Sequence, residues 1–320
     1  MLSINYAKEV YEDLTVLIAT KDRLNQITQL LTSLGNSSIS PGTVIVVYSG
    51  IDIESELQKF NALFKIIIIK SDTASQVYQK KLGLRSLPAN CKWVLFLDDD
   101  VILEPNSVEL LYTKYILNPD YANYRGFGLA IKNRNSRKNN KLVTYLLYLV
   151  KLYSFHPGDV TKGGHPQSYL NQTKNSDVAW LNGLSIWSRR VIDHYFNIPF
   201  ISGYAAYEDV MFSYNVSRKD KLLFVSDVFV LDQIVESSKP LTLKQFIAGF
   251  YARYFFVISN PEMSKFWLTT GQVIRNVDFI LRSKHEGNHM TRIQITSKLF
   301  FALLLSSYRK LETIELIKER

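Results

Sequence analysis

The chain has 320 residues, 47% of them hydrophobic, and carries a net charge of +9 from 38 basic and 29 acidic side chains. This composition excludes a disordered chain and allows one large or two ordinary domains with a substantial core. The single cysteine, Cys91, excludes an intramolecular disulfide and a cysteine-rich zinc site, and is expected to be a small buried residue. No uninterrupted apolar run approaches the roughly 18 residues of a membrane-spanning helix.

The N-terminal residues lack the basic region, apolar run and cleavage site of a secretory signal, which predicts a cytoplasmic protein, soluble or peripheral to a membrane. The positive charge is unevenly distributed. Residues 121–158 contain seven basic side chains and no acidic one. This segment therefore favours an anionic partner, although nothing in the sequence indicates nucleic acid.

The first hundred residues alternate between predicted strands and helices. Four segments are β-branched and apolar on both faces: residues 14–20, 43–49, 64–70 and 92–97. Such segments are typical of parallel strands that helices cover on both sides. The order strand, helix, strand, helix predicts an α/β fold with right-handed crossovers.

Three helices are predicted between these strands. The first follows Arg23, because its leucine and isoleucine residues fall on one helical stripe, with Asp22 as the N-cap and Gly35 as the end. The second and third, over residues 53–63 and 74–86, have weaker patterns.

The elements beyond residue 120 follow a different rhythm. In chain order they are predicted as a basic exposed loop at 131–141, an apolar helix at 142–155, a flexible loop at 161–166, a strand through 177–187, a short helix from Arg190, a helix containing 207–219 and one or two strands at 222–232. Residues after about Leu241 are predicted to be helical, with basic residues among aromatic ones.

Three adjacent aspartates, Asp98, Asp99 and Asp100, follow the fourth predicted strand directly. Ligands of open α/β sheets bind beyond the carboxyl ends of the strands, where residues 20–23 and 48–50 are also expected. Neighbouring carboxylates repel one another unless a cation or donors offset them, and their oxygens suit Mg²⁺ or Mn²⁺ with phosphates as further ligands. The cluster predicts a metal and a phosphorylated ligand; the alternative is an acidic turn capping the next helix.

Four fragments in this order resemble the inverting glycosyltransferases of family 2. They are the ATKDR turn at 19–23, FLDDD at 96–100, WLNGLSIWSRR at 180–190 and YED at 207–209. The likeness extends from about Leu14 to Asp232 and implies the GT-A fold of nucleotide-diphospho-sugar transferases.

The implied GT-A domain covers residues 1–235, with a nucleotide-binding half at 1–100 and an acceptor half at 101–235, and a helical C-terminal extension at 236–320. Its sheet is expected to be Rossmann-like, mixed but mostly parallel, and flanked by helices.

The resemblance assigns residues to the donor and the metal by position. The implied nucleotide-binding residues are Thr20, Asp22, Arg23, Ser49, Lys80, Asp98 and Asp99, and the implied ligands of Mn²⁺ or Mg²⁺ are Asp98, Asp100 and Asp232. Asp98 would face the ribose. Lys80 occupies the position of a phosphate-facing arginine, and the alternative is that it lies on a solvated helix face. Two positions depart from the family: 48–50 lack an acidic residue that reads the base, and Asp232 replaces a metal-binding histidine.

The resemblance also assigns the catalytic residues. Asp209 would be the general base and Glu208 would support it or touch the acceptor, while Asn182 and Gly183 lie beside the donor sugar and acceptor. A single in-line displacement requires a carboxylate that takes the acceptor hydroxyl's proton on the face opposite the leaving group. The alternative is that both acids only favour a helix N-terminus. Trp180 and Trp187 are expected to pack in the core.

The resulting hypothesis is metal-dependent transfer from a nucleoside diphosphate sugar, a UDP-sugar by resemblance, to a saccharide or lipid-linked saccharide. Two competing functions are an inactive module that binds a sugar nucleotide or partner enzyme, and a glycosidase, which also uses two carboxylates but needs no metal cluster. HEGNH at 285–289 matches a zinc-protease pattern, but Gly287 and Asn288 oppose its helix, so we interpret it as a chance match.

The sequence also suggests where the protein acts. The basic loop and apolar helix at 131–155, with the aromatic and basic region after Leu241, suggest peripheral attachment to the inner membrane face. The alternative is that this helix packs on the protein's own core.

Overall fold

The computed structural model describes residues 8–132, 145, 147–149, 153–170, 172–196, 207–233, 243–271 and 274. The chain divides into two compact units. The first comprises Met1–Ser136, Ser168–Phe200 and Glu208–Ser237, and the second comprises Arg137–Gln167, Ile201–Tyr207 and Ser238–Arg320.

The strands of the first unit form one mixed sheet. Within the described residues they are β1 (Glu9–Lys21), β2 (Ile39–Ser49), β3 (Ile66–Lys70), β4 (Trp93–Asp98), β5 (Val101–Leu103), β6 (Tyr124–Ile131), β7 (Ser176–Asp177), β8 (Ser185–Ser188) and β9 (Lys221–Asp232). Their spatial order is β3-β2-β1-β4-β8-β6-β9-β5, with β7 paired to β9. Strands β5, β7 and β8 run antiparallel to the others, so the predicted α/β sheet, mixed but mostly parallel, is confirmed.

The described helices of the first unit are α1 (Leu24–Gly35), α2 (Glu54–Gln58), α3 (Gln76–Leu84), α4 (Ser107–Leu110), α5 (Arg189–Tyr195) and α6 (Glu208–Ser217). A π-helical turn, Leu111–Ile116, continues α4, and 3₁₀ turns occupy Lys59–Ala62 and Pro119–Tyr121. The predicted apolar stripe of α1 is buried except at its first residue, Leu24, which is half-buried, and α1 ends at Gly35 as predicted. The second unit contains α7 (Leu243–Ile258).

The register of the parallel strands brings the predicted loops to one edge of the sheet. Thr20 of β1 lies opposite Tyr48 of β2, and its neighbour Ala19 lies opposite Asp98 of β4. Strand β2 is buried along its whole length and β4 is buried from Val94 to Leu97, which fixes these strand ends relative to the core. The convergence of the strand-end loops, expected from topology alone, is therefore confirmed.

Helix α3 packs closely onto this sheet. A Cβ atom on Gly83 would lie 2.3 Å from Leu17 Cδ1, so only glycine allows this approach without a shift. Gln79 lies on the buried face of α3 and donates from Nε2 to the carbonyl oxygens of Thr20 and Val47 at 2.8 and 2.9 Å. These contacts hold α3 next to the carboxyl ends of β1 and β2.

Two predictions for local structure in the first unit are wrong. Asp22 does not cap α1: the N-cap is Arg23, without a side-chain cap, and Asp22 accepts the Ile51 backbone N–H at 2.8 Å instead. Asp22 has a positive φ of 53°, which turns its carboxylate towards the β2 turn, where an unpaired N–H needs an acceptor. The predicted strand through 177–187 is two short strands, β7 and β8, because residues 178–184 form a loop held by side chains of other elements.

In the second unit, the segment predicted as a flexible loop at 161–166 is a turn with buried residues. Val160 and Pro166 form an antiparallel β-bridge that closes the turn, and the Gly164 N–H donates to the Thr161 carbonyl. Ser264 N–H donates to the Lys162 carbonyl at 2.8 Å, which ties the turn to the segment after α7.

Several predictions fall wholly or largely outside the described residues. The basic loop is described only at 131–132, where Ile131 ends β6, and HEGNH at 285–289 is not described. Of the apolar helix at 142–155, Tyr145 and residues 147–149 are helical, whereas 153–155 are not. In the part of the chain that the structure describes, no helix is both long enough and apolar enough to cross a bilayer.

Candidate active site

The aspartate cluster is held by side chains from β1 and the turn after it. Thr20 Oγ1 donates to Asp99 Oδ2 at 2.6 Å, and both groups are buried. Arg23 Nη1 donates to Asp99 Oδ1 at 2.7 Å and to Asp100 Oδ2 at 2.9 Å. The Arg23 side chain is 43% exposed, so a cation lies at the open side of the cluster. Asp99 thus accepts hydrogen bonds at both carboxylate oxygens.

Asp98 faces a different set of groups. Its Oδ1 accepts a hydrogen bond from Gln76 Nε2, in the first turn of α3, at 3.0 Å. A Cβ atom on Gly183 would lie 3.1 Å from both oxygens of this carboxylate, so the backbone of the 178–184 loop passes directly beside Asp98. The structure thus brings together Asp98 and Gly183, which the resemblance had assigned separately to the nucleotide and to the sugar.

Asp232 ends β9 beside the aspartate turn. Val101, the residue after Asp100, is paired with Asp232 across β5 and β9. Burial and the charge of Asp98 raise the pKa of Asp100, and the charge of Asp232 adds to this rise. Gln233 fixes this junction because its N–H donates to the Asp100 carbonyl at 2.8 Å.

The donor set of carboxylate oxygens suits Mg²⁺ or Mn²⁺. No group of three or more acidic, histidine or cysteine side chains within the described ranges has metal-binding geometry. Mg²⁺ is usually held by one or two carboxylates together with phosphate oxygens, and Asp100, which precedes the Val101–Asp232 pair, and Asp232 supply carboxylates of this kind.

Glu208 and Asp209, the first two residues of α6, lie at a cavity near Asp98. The cavity is narrow and open to solvent on one side, with about 10 Å³ accessible to the centre of a water molecule. Its lining residues are Lys80, Phe96, Leu181, Asn182, Gly183, Ser185, Trp187, Phe196, Glu208, Asp209, Phe212 and Ser213. The predicted catalytic acids and the predicted sugar-binding loop therefore share one space.

The loop through Asn182 is fixed from both sides. The Asn182 N–H donates to the Tyr169 hydroxyl at 2.7 Å, and the Leu181 N–H donates to Ser213 Oγ, one turn along α6, at 3.0 Å. The Asn182 Oδ1 atom is buried and accepts no hydrogen bond from the described residues. Leaving a buried acceptor without a hydrogen bond costs free energy. A ligand hydroxyl that donates to this oxygen would remove that cost.

Burial dominates the electrostatics of the site. It raises the pKa of Asp98, Asp99 and Asp100, and hydrogen bonds from Thr20 and Arg23 oppose this rise at Asp99. Burial, followed by the charge of Glu208, raises the pKa of Asp209 to about 7. An aspartate with this pKa can exchange a proton near neutrality, which is the property of a general base.

The turn after β2 contains an acidic residue that the motif comparison missed. Asp52 accepts the Tyr48 hydroxyl at 3.0 Å and lies 3.5 Å from Lys70 Nζ. Asp52 follows β2 by three residues. Its hydrogen bond to the buried Tyr48 nevertheless keeps it at the edge where the strands end. The side chain of Ser49 is also buried there, and its Oγ accepts no hydrogen bond from described residues.

Lys80 lies in the protein interior, which contradicts one of its two sequence interpretations. It is not on a solvated helix face, because only 4% of its side chain is exposed. Its Nζ lies 3.8 Å from Glu208 Oε1 and 5.4 Å from the centroid of the Phe96 ring. The core predictions hold: Cys91 and Trp187 are buried, and Trp180 is half-buried against Tyr169.

Besides Asp52, the sequence analysis missed other polar residues of the site, which include Tyr169, Gln76, Gln79, Ser213 and Gln233. All of them hold other site residues in place through the hydrogen bonds described above. Gln76 and Gln79 are three residues apart in a helix predicted to follow a strand, so the i, i+3 spacing is a signal that could have placed both on one face.

No protein-family model and no curated protein matches the sequence. Comparison with solved structures does give matches. The chain is similar to S. aureus TarS 1–349 in complex with UDP-GlcNAc, with a TM-score of 0.58 and 14% identity over 91% of this chain and 81% of that chain. It is also similar to the mannosyltransferase PcManGT from Pyrobaculum calidifontis in complex with GDP-Man and Mn²⁺, with a TM-score of 0.50 and 12% identity over 95% and 84% of the two chains.

These similarities, at such low identity, concern the fold. They show that the chain has the GT-A fold, which the sequence resemblance implied.

Proposed function

We propose that this chain is a metal-dependent inverting glycosyltransferase that moves a sugar from a UDP-sugar to a saccharide or lipid-linked saccharide. The observation that carries the proposal is the approach of Gly183 to Asp98 at the cavity lined by Glu208 and Asp209. It brings a nucleotide-side carboxylate, a candidate sugar-binding loop and a candidate base into one site. The UDP-GlcNAc and the GDP-Man with Mn²⁺ in the similar structures support a nucleotide-sugar donor.

The donor would lie across the strand-end edge. Thr20, Asp22, Arg23 and Ser49 would line the nucleotide, with Arg23 as the exposed cation for the diphosphate. Asp100 and Asp232, with Asp98 nearby, would hold a divalent cation, which would neutralise charge on the leaving diphosphate.

The acceptor hydroxyl would approach through the open mouth of the cavity, opposite the leaving group. Asp209 would take the proton of the attacking hydroxyl, and the apolar wall of Phe196 and Phe212 would limit water at the reacting carbon. Asn182 Oδ1 would accept a sugar hydroxyl. Because the attack is a single displacement, the anomeric configuration would invert.

Titration of the protein with UDP and with GDP, each with and without Mn²⁺, tests the proposal by calorimetry. We expect binding of UDP that strengthens with Mn²⁺, since the carboxylates bind the diphosphate only through a cation. An Asp52→Asn variant, changed at the same edge but outside the proposed metal site, should keep the Mn²⁺ dependence. Absence of binding for both nucleotides in all conditions would contradict the function.

We also propose that the protein associates peripherally with an anionic membrane surface on the cytoplasmic side. Tyr145, Tyr148 and Leu149 have helical spacing and are 53%, 46% and 55% exposed. Phe155, also 55% exposed, packs on Tyr148 with ring centroids 4.7 Å apart. Aromatic residues are favoured at the membrane interface, and the basic excess of residues 121–158 favours anionic lipid.

Flotation with anionic vesicles at low and high salt tests this association. We expect co-migration at low salt, weakened by Tyr148→Ser with Leu149→Ser, because both exposed apolar side chains are removed. Leu63→Ser is the matched control, since Leu63 is 51% exposed in the first unit. Equal flotation of all variants, or none by wild type, would argue against this surface.

A further inference from the structure

Lys80 is a buried cation whose surroundings differ from those of a phosphate ligand. Helix α3 is held by Gly83 against Leu17 and by the Gln79 hydrogen bonds, which leaves the Lys80 side chain directed into the protein with 4% exposure. Moving a charged ammonium out of water is costly unless a counter-charge compensates it. A fold that buries Lys80 therefore needs a partner for it.

That partner is Glu208 at the start of α6. The Lys80 Nζ and Glu208 Oε1 atoms are 3.8 Å apart, and the Glu208 side chain is only 11% exposed. Phe96 covers the ammonium from the sheet side, with the ring centroid 5.4 Å away. The pair links α3 to the residue immediately before the candidate base Asp209.

The two cations near the carboxylates are arranged differently. Arg23 is 43% exposed and contacts Asp99 and Asp100, on the side where a diphosphate would meet the metal. Lys80 instead lines the cavity with Glu208 and Asp209. Burial is the largest influence on the pKa of Asp209 and raises it, and the charge of Lys80 is one of the opposing influences.

We propose that Lys80 is a positioning residue: its buried ammonium holds Glu208 and thereby orients the start of α6, on which Asp209 lies, and it does not bind the donor diphosphate. The kinetic part of this inference rests on the proposed transferase function, whereas the pairing itself does not. It replaces the phosphate-facing role that resemblance gave to Lys80.

A thermal unfolding cycle tests the pairing without any assay of activity. Lys80→Met should lower the melting temperature of wild type by about 5–10 °C, because Glu208 is left buried without a counter-charge. In a Glu208→Gln background the same change should cost less than about half as much. The control is Lys92→Met, which removes a pair of similar length, 3.6 Å to Asp13, whose lysine is 75% exposed; it should change the melting temperature by less than about 2 °C.

Equal effects of Lys80→Met in both backgrounds would overturn the pairing. If Lys80→Met does not fold, folding of the double variant supports the pair, because no charge is then buried alone. Failure of that double variant to fold, while Glu208→Gln alone folds, contradicts it.

Donor binding and turnover separate positioning from phosphate binding. With Mn²⁺ present, Lys80→Met should keep the Kd for UDP within about threefold, while kcat falls by about tenfold or more, and Lys80→Arg should recover part of kcat. A Kd for UDP weakened by about tenfold with unchanged kcat would show a phosphate ligand and overturn the proposal. If wild type binds no nucleoside diphosphate, the transferase function fails, but the thermal cycle still decides the Lys80–Glu208 pairing.

Discussion

At the level of single residues, Asp209 and Asp100 should separate chemistry from donor binding. Asp209→Asn keeps the size of the side chain but removes its ability to take a proton, so transfer should fall by roughly 10²–10⁴. The Kd for UDP with Mn²⁺ should barely change, because Arg23, Asp100 and Asp232 would hold the diphosphate and its metal ion. Asp100→Asn should first weaken the Mn²⁺-dependent part of UDP binding, with loss of transfer as its consequence. Calorimetry and a transfer assay on the same preparations measure both effects.

The comparison requires both variants to fold, which a single cooperative ligand-free melting transition for each variant would show. Transfer by Asp209→Asn at the wild-type rate would mean that another group is the base. Retention of the anomeric configuration would also contradict the role of Asp209. Tight UDP binding by wild type without transfer to any acceptor would instead favour an inactive binding module.

At the level of elements, the local sequence pattern was sufficient to predict those strands and helices whose burial is visible in their own residues. The four parallel strands and α1 were predicted from apolar runs and one helical stripe, because burial on both faces or on one face leaves a direct imprint on the sequence. The position of the three aspartates followed from topology, since parallel strands end at a common edge. The pairing of Ala19 with Asp98 confirms that step.

Local pattern failed where a polar residue finds its partner far along the chain. Lys80 and Gln79 look like surface residues of a helix, yet their partners are Glu208, 128 positions away, and two strand carbonyls. The segment 177–187 alternates like a strand, but Tyr169 and Ser213 capture its backbone N–H groups and hold a loop. Asp22 resembles an N-cap, but the turn after β2 takes its carboxylate. Such tertiary competition has no signal within a short window.

At the level of the whole molecule, several buried carboxylates with raised pKa values work against stability at neutral pH. A carboxyl whose pKa is higher in the folded than in the unfolded state stabilises the fold while it is protonated. That contribution is fully present below the unfolded pKa and is lost as the pH rises through the folded pKa. In the candidate active site, the buried carboxylates are therefore expected to destabilise the ligand-free protein, and a bound cation would offset this repulsion.

The strongest test of this view is the pH dependence of the stability difference between wild type and Asp209→Asn. The pKa of Asp209 lies at about 7 in the folded protein against an ordinary value of 3.8, so the variant should gain stability relative to wild type between those two pH values. The gain should be at most about 1.4 kcal/mol per pH unit, and it should level off above pH 7. Asp227→Asn is the control. Hydrogen bonds from Lys114 and Tyr115 outweigh burial and lower the pKa of Asp227, so this substitution should change the pH dependence of stability only below pH 3.8. Thermal or urea unfolding from pH 4 to 8 measures all three proteins. A constant difference between wild type and Asp209→Asn over this range would show that Asp209 is already ionised at pH 4, which would remove the electrostatic basis for a base that acts near neutrality.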